Sequence, residues 1–326
     1  MALRDYLVEE VALDCEDGLV SRREALRRLG LLGVSGAAAA ALLAACGDDD
    51  GAASTTAAVT PTTAARTSAV STTAASTTAA STQAGSGQAT SPPSSASPSG
   101  SGEEIRFTGP NGELIGVLAE ADSPQGAVLV IHENRGLTPH IRSIPARLAA
   151  DGYTALAIDL LSAEGGTASL PSEGDATAAL GNAPTERLLA DVRAGLDELG
   201  RRAPGVKLAA IGFCFGGGMT WQLLAAGEPR LAAAVPFYGP FPDGADLSGS
   251  PEAAVLGIYA GQDSRVNGTM EAAEQALAAA GLTHELRTFE GVDHAFFNDT
   301  GARYDAEAAT QAYQAMLDWF GQHLRS

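Results

Sequence analysis

The sequence predicts an α/β fold, a mainly parallel central sheet flanked by helices, as one domain over residues 103–326. Three observations predict it. Short apolar runs that are continuous rather than alternating suit strands buried on both faces of a parallel sheet. Stretches with i, i+3, i+4 apolar spacing lie between them, and strand–helix alternation implies βαβ units. Reactive side chains fall just after the predicted strands, where open α/β sheets bind ligands.

The chain has 326 residues, 45% apolar and 18% charged, with a net charge of −19. That charge excludes nucleic acid as a partner, because phosphate binding needs a basic face. Residues 1–45 read as an export signal of twin-arginine and lipoprotein type. Arg22 and Arg23 stand in Ser21–Leu26, and an apolar run, Leu29–Ala45, follows. Ala25 stands where the twin-arginine motif prefers Phe, so an ordinary secretory route is the alternative. Leu43-Ala44-Ala45-Cys46 resembles a bacterial lipoprotein box, in which Cys46 is acylated and becomes the new N-terminus. An uncleaved membrane anchor is the competing reading, although the run is borderline for a span. Either way the expected address is extracytoplasmic, with the protein held at the cell membrane. Residues 46–102 are mostly Ala, Ser, Thr, Pro and Gly, with no aromatic residue and only Val59 and Val70 as large aliphatics, a composition that cannot bury enough surface to order itself. They are expected to be a disordered tether. Cleavage before Cys46 leaves 15 basic and 32 acidic side chains, a net of −17. It also leaves Cys214 as the one free thiol of Cys15, Cys46 and Cys214. Their spacing fits neither a disulfide framework nor a metal site, and no cofactor is expected.

Within the domain, Glu104–Phe107 and Leu114–Ala119 predict a hairpin turning at Pro110-Asn111-Gly112. Strands are then expected at Ala127–Ile131, Thr154–Ile158, Leu208–Ile211, Ala232–Phe237 and Ala253–Tyr259, with a more polar edge strand at His284–Phe289. Helices are expected at Ile141–Ala150, Thr185–Leu199, Gly218–Ala226, Met270–Ala279 and Ala306–Leu324.

Gly212-Phe213-Cys214-Phe215-Gly216 follows a predicted strand and opens a predicted helix. This is the context of the nucleophile elbow G-x-S-x-G of α/β-hydrolases, with Cys in place of Ser. A small buried cysteine in a Gly-rich turn is the plain alternative. A thiol nucleophile needs a base and a group that orients it. The chain order nucleophile, acid, histidine selects Asp263, after the strand ending at Tyr259, and His294, after the strand ending at Phe289. Asp293 is set aside, since a sequence neighbour seldom orients an imidazole. His140, His284 and His323 are read as structural. The loop His132-Glu133-Asn134-Arg135 follows the strand Ala127–Ile131. It is expected to supply an oxyanion-hole N–H from Asn134, paired with that of Phe215, and to set Glu133 near Cys214.

Together Ile131–Gly136, Ala157-Ile158-Asp159-Leu160-Leu161, Gly212–Gly217 and Asp293-His294-Ala295-Phe296 resemble the dienelactone hydrolase family over Glu104–Ser326. The resemblance implies a Cys214-Asp263-His294 triad, a Glu133 carboxylate that contacts the resting thiol, and hydrolysis of an ester or lactone through an acyl-thiol. The chain departs from the family pattern at Asn298, where the family has a substrate-binding arginine. Arg135 or Arg303 is left to hold a substrate carboxylate, with Arg135 named as substrate-binding. A thioesterase and a surface-anchored binding protein without turnover are the alternative functions. The expected partner is a small ester or lactone, and the protein is expected to be a monomer.

Overall fold

Apolar continuity places the central strands. In the computed structural model, which describes residues 2–44 and 102–325, β3 (Ala127–Ile131), β4 (Thr154–Asp159), β5 (Leu208–Phe213) and β7 (Ala254–Ala260) are buried at every position. β6 (Leu231–Phe237) joins them, half-buried only at Ala232. The hairpin forms as β1 (Glu103–Gly109) and β2 (Gly112–Ala119). The sheet order is β1-β2-β4-β3-β5-β6-β7-β8. β2 pairs antiparallel with β1 and β4, and the other neighbours are parallel. β8 (His284–Phe289) closes one edge, with only Phe289 buried, as its polar composition suggested.

Helices cover both faces: α4 (Pro139–Ala150), α6 (Thr185–Arg202), α7 (Phe215–Ala225), α9 (Met270–Ala280) and α10 (Ala306–His323). The one-turn α8 (Ser264–Asn267) follows β7. Two elements were not expected. α5 (Glu173–Asn182) is capped by Ser172, whose hydroxyl accepts from the Asp175 N–H at 3.2 Å. Its Gly, Ala and Thr residues give little periodic contrast, so the pattern that marks the other helices is faint here.

The second is the arrangement of residues 3–44. They form α1 (Leu3–Glu16), α2 (Arg22–Leu31) and α3 (Gly36–Leu42), which pack on the domain. The described part of the apolar run is therefore divided between α2 and α3. Leu29, Leu32 and Leu43 are buried, Leu32 lying where a side chain at Gly181 of α5 would sit. Asn182 donates to the Leu31 carbonyl at 3.0 Å, and Arg27 pairs with Asp175 at 2.9 Å. Among the described residues no helix is long and apolar enough to cross a membrane. Cys46 and the expected tether, Gly102 aside, lie outside the described residues.

Candidate active site

The turn between β5 and α7 holds Cys214 at φ 57° and ψ −118°, a left-handed conformation that costs a non-glycine residue on the order of 1–3 kcal/mol. The glycines around it make the turn possible. A Cβ on Gly212 would stand 2.0 Å from the Gly216 carbonyl oxygen, and one on Gly216 would stand 2.3 Å from that of Ile131. The turn is pinned by the Cys214 N–H, which donates to the Phe237 carbonyl at 3.1 Å. Phe215 is the first residue of α7, where a backbone N–H has no acceptor inside the helix.

Asp263 follows β7 and caps α8, its Oδ1 accepting from the Val266 N–H at 3.1 Å. Its other oxygen lies 2.5 Å from His294 Nδ1. The loop after β8 delivers His294 through positive-φ turns at Gly291 (75°) and Ala295 (61°). Asp293, set aside in the sequence, accepts from the His294 N–H at 2.6 Å and faces Arg303 at 3.6 Å. Cys214, Asp263 and His294 thus meet at the carboxyl ends of their strands, 3%, 4% and 3% exposed.

Charge is unevenly felt there. Burial pushes the Asp263 carboxyl up, but the adjacent His294 overrides it and holds Asp263 below the usual carboxylate range. Burial pushes His294 down, yet Glu10, Asp263 and the thiol of Cys214 outweigh it, so the imidazole is raised well above its ordinary value of 6.5.

Glu133 and Asn134 are buried, and with Arg135, Cys214, His294 and Asn298 they line a cavity of about 220 Å³. Glu133 shares that cavity with Cys214 but takes a different partner from the one the family resemblance implied. Asn298 Nδ2 donates to Glu133 Oε2 at 2.6 Å, while Glu133 Oε1 is buried without a hydrogen-bond partner. The residue standing in place of the family's arginine thus holds the carboxylate itself. Burial pushes the Glu133 carboxyl up. Arg135 pairs with Glu173 at 3.3 Å and Asp14 at 3.7 Å. The histidines read as structural have partners elsewhere: His140 sits 2.6 Å from Asp299 and His284 3.2 Å from Glu274, while His323 packs on Trp319.

The thiol's nearest polar partner comes from α1. The Tyr6 hydroxyl lies 3.1 Å from Cys214 Sγ and 3.1 Å from His294 Nε2. Glu10, one turn on, lies 3.7 Å from His294 Nε2 and pairs with Arg265 and Arg303. The Arg265 guanidinium stacks 4.2 Å over the Tyr6 ring. Glu10, Cys214 and His294 therefore offer three buried donor atoms within 4.8 Å of one another, a grouping that cysteine spacing could not reveal. The Tyr6 hydroxyl bonds two of the three.

Comparison with known proteins places this geometry. The family model described as "Dienelactone hydrolase family" matches residues 114–324. The chain is 34% identical over 218 residues to an Escherichia coli (strain K12) protein named "Putative carboxymethylenebutenolidase", covering 63% of this chain and 79% of that one. Among solved structures, a Klebsiella pneumoniae protein named "Putative Dienelactone Hydrolase" aligns with a TM-score of 0.59 and 31% identity, over 68% of this chain and 98% of that chain. A dienelactone hydrolase-like promiscuous phosphotriesterase from metagenomic libraries aligns at 0.58 and 27%, over the same shares. The α/β-hydrolase sheet and the family match over most of the folded part establish that this chain is a hydrolase belonging to the dienelactone hydrolase family.

Proposed function

We propose that this hydrolase cleaves a small ester or lactone with Cys214 as nucleophile, His294 as base and acid, and Asp263 orienting the imidazole. The observation that carries the reading is the 2.5 Å contact between Asp263 and His294 Nδ1, which leaves Nε2 facing the thiol side of the site. The Cys214 thiolate attacks the carbonyl carbon and the carbonyl π electrons move to oxygen. The N–H groups of Phe215 and Asn134 receive that oxyanion. Collapse expels an alkoxide, which takes the proton of the His294 imidazolium and leaves an acyl-thiol. His294 then deprotonates a water that attacks the thioester, and the acid departs as Cys214 is restored.

Glu133 is an accessory carboxylate whose position depends on Asn298, and Arg135 is offered to an anionic group of the substrate. The cavity of about 220 Å³ beside Cys214 is walled on one side by Glu10 and Asp14 of α1. Iodoacetamide treatment tests the nucleophile against a binding protein without turnover. Stoichiometric alkylation of Cys214 is expected to abolish hydrolysis of small aryl esters; full activity on the alkylated chain would sink the reading.

Export by the 1–45 leader, acylation of Cys46 and monomeric function belong to the same proposal. Export and acylation rest on Arg22-Arg23 and on Leu43-Ala44-Ala45-Cys46. Cys46→Ser is expected to move the protein from the membrane to the soluble fraction, and unchanged membrane association would rule acylation out as the tether.

A further inference from the structure

One stripe of α1 is buried: Leu3, Tyr6, Leu7, Glu10, Val11, Asp14 and Cys15. Their spacing of three and four residues is that of a helix face laid on a surface. The stripe does not pack on an inert part of the domain. Leu3 reaches α7, where a side chain at Gly218 would stand 2.7 Å from its Cδ2. Tyr6 is fully buried with its hydroxyl between nucleophile and base. Leu7, Val11 and the Tyr6 ring are buried with it, so the helix is held by apolar contact as well as by charge.

The acidic residues of the same helix neutralise the cations around the site. Arg265 pairs with Glu10, and also donates to the Tyr6 carbonyl at 3.3 Å. Arg303 faces Glu10 at 3.8 Å and Asp14 at 3.3 Å, and pairs with Asp17. Arg135 faces Asp14 at 3.7 Å. On a chain of net charge −19, three arginines gathered beside the nucleophile are the natural receptors for an anionic substrate. Here α1 presents them with carboxylates instead, and a hydroxyl to the thiol.

We propose that α1 is a substrate-mimicking intramolecular inhibitor, which holds the catalytic face closed until the N-terminal segment leaves it. The proposal rests on the hydrolase mechanism given above. An incoming acyl carbon must reach Cys214 Sγ, and its leaving oxygen must reach His294 Nε2; the Tyr6 hydroxyl bonds both atoms at once. Hydrolysis of the Ala45–Cys46 peptide bond, with water split between the new carboxylate and the new amine, would sever α1 to α3 from the domain. The same cut that a lipoprotein box invites would then free the nucleophile. Such a leader keeps the enzyme silent before processing.

The full chain carrying Glu10→Lys and Asp14→Lys tests this, because each lysine faces the arginines that hold the helix down. The rate of Cys214 alkylation by iodoacetamide, read by mass spectrometry, is expected to rise at least ~10-fold at unchanged circular dichroism, as roughly 1.4 kcal/mol of lost docking would give. Hydrolysis of a small aryl ester should rise in parallel. Tyr6→Ala leaves every ion pair in place and should gain in the same direction, which covers the case in which the double variant does not fold. A peptide of residues 2–17 added to the opened chain should restore protection.

Unchanged alkylation in the folded variants overturns the proposal. So does faster alkylation accompanied by a fall in turnover, which would make α1 a wall of the working site. Faster alkylation with ester hydrolysis that does not depend on Cys214 leaves the plug standing and removes the mechanism proposed for Cys214.

Discussion

Cys214→Ala is expected to lower kcat/KM for a small aryl ester by at least ~10³-fold, with little effect on stability. The side chain lost is small, and alanine keeps the steric demand of the elbow. Two nearby hydroxyls are held in structural bonds: Thr220 donates to the Gly216 carbonyl at 2.9 Å and Thr300 to Asn298 Oδ1 at 2.8 Å. The Tyr6 hydroxyl touches the same imidazole, but burial and the negative charge of Cys214 and Glu10 push its pKa well above 10.0, which disfavours the phenolate. A stopped assay at matched protein concentration, with the melting temperature as control, checks the expectation. Retained activity would move the chemistry to another side chain.

Asp263→Asn is expected to cost roughly 10²–10⁴-fold in kcat, because the amide no longer fixes the tautomer and ring orientation of His294. It also changes how stability varies with pH, and the sign follows from linkage. His294 binds its proton more tightly in the folded chain than at its ordinary value of 6.5. The folded state therefore carries more protons than the unfolded state above that pH, and stability falls as pH rises. The His294 contribution is complete below pH 6.5 and is lost as pH climbs through the raised value. Removing Asp263 takes away one of the charges that raise it, so the alkaline loss of stability should be smaller in the variant. Melting temperatures across neutral and alkaline pH read this directly; an unaltered slope would show that Asp263 does not set the charge of His294.

The strands were readable in the sequence because burial on both faces leaves an unbroken apolar run, as at Ala127–Ile131, where expected and observed bounds coincide. That Cys214, Asp263 and His294 would meet was readable for a related reason. The fold puts chemistry at strand ends, and the chain order of the three roles is fixed. Helix starts were less clear. α7 begins at Phe215, three residues before the expected Gly218, because the glycines that weaken a helical pattern are what let it approach β5 and β6.

α1 lay beyond reach for a different reason. Its contact with Cys214 spans 208 residues, and its buried stripe includes Glu10 and Asp14, which a hydrophobic pattern assigns to solvent. Their burial is matched by Arg265 of α8 and by Arg135 and Arg303, cations distant in the chain. Asn298 makes the same point on a smaller scale. The sequence marks it as a missing arginine, and its role as the donor holding Glu133 emerges only from tertiary structure.

The central claim is covalent catalysis by Cys214, and the acyl-enzyme is its most direct observable. The full chain and the Glu10→Lys, Asp14→Lys chain should each be mixed with a slowly hydrolysed aryl ester, quenched in acid, and mapped by peptide mass spectrometry. The account predicts a mass increase equal to the acyl group on the peptide containing Cys214. The adduct should form more slowly in the full chain and be absent after Cys214→Ala. Turnover of the ester with no adduct on Cys214, or with the adduct on another residue, would contradict it.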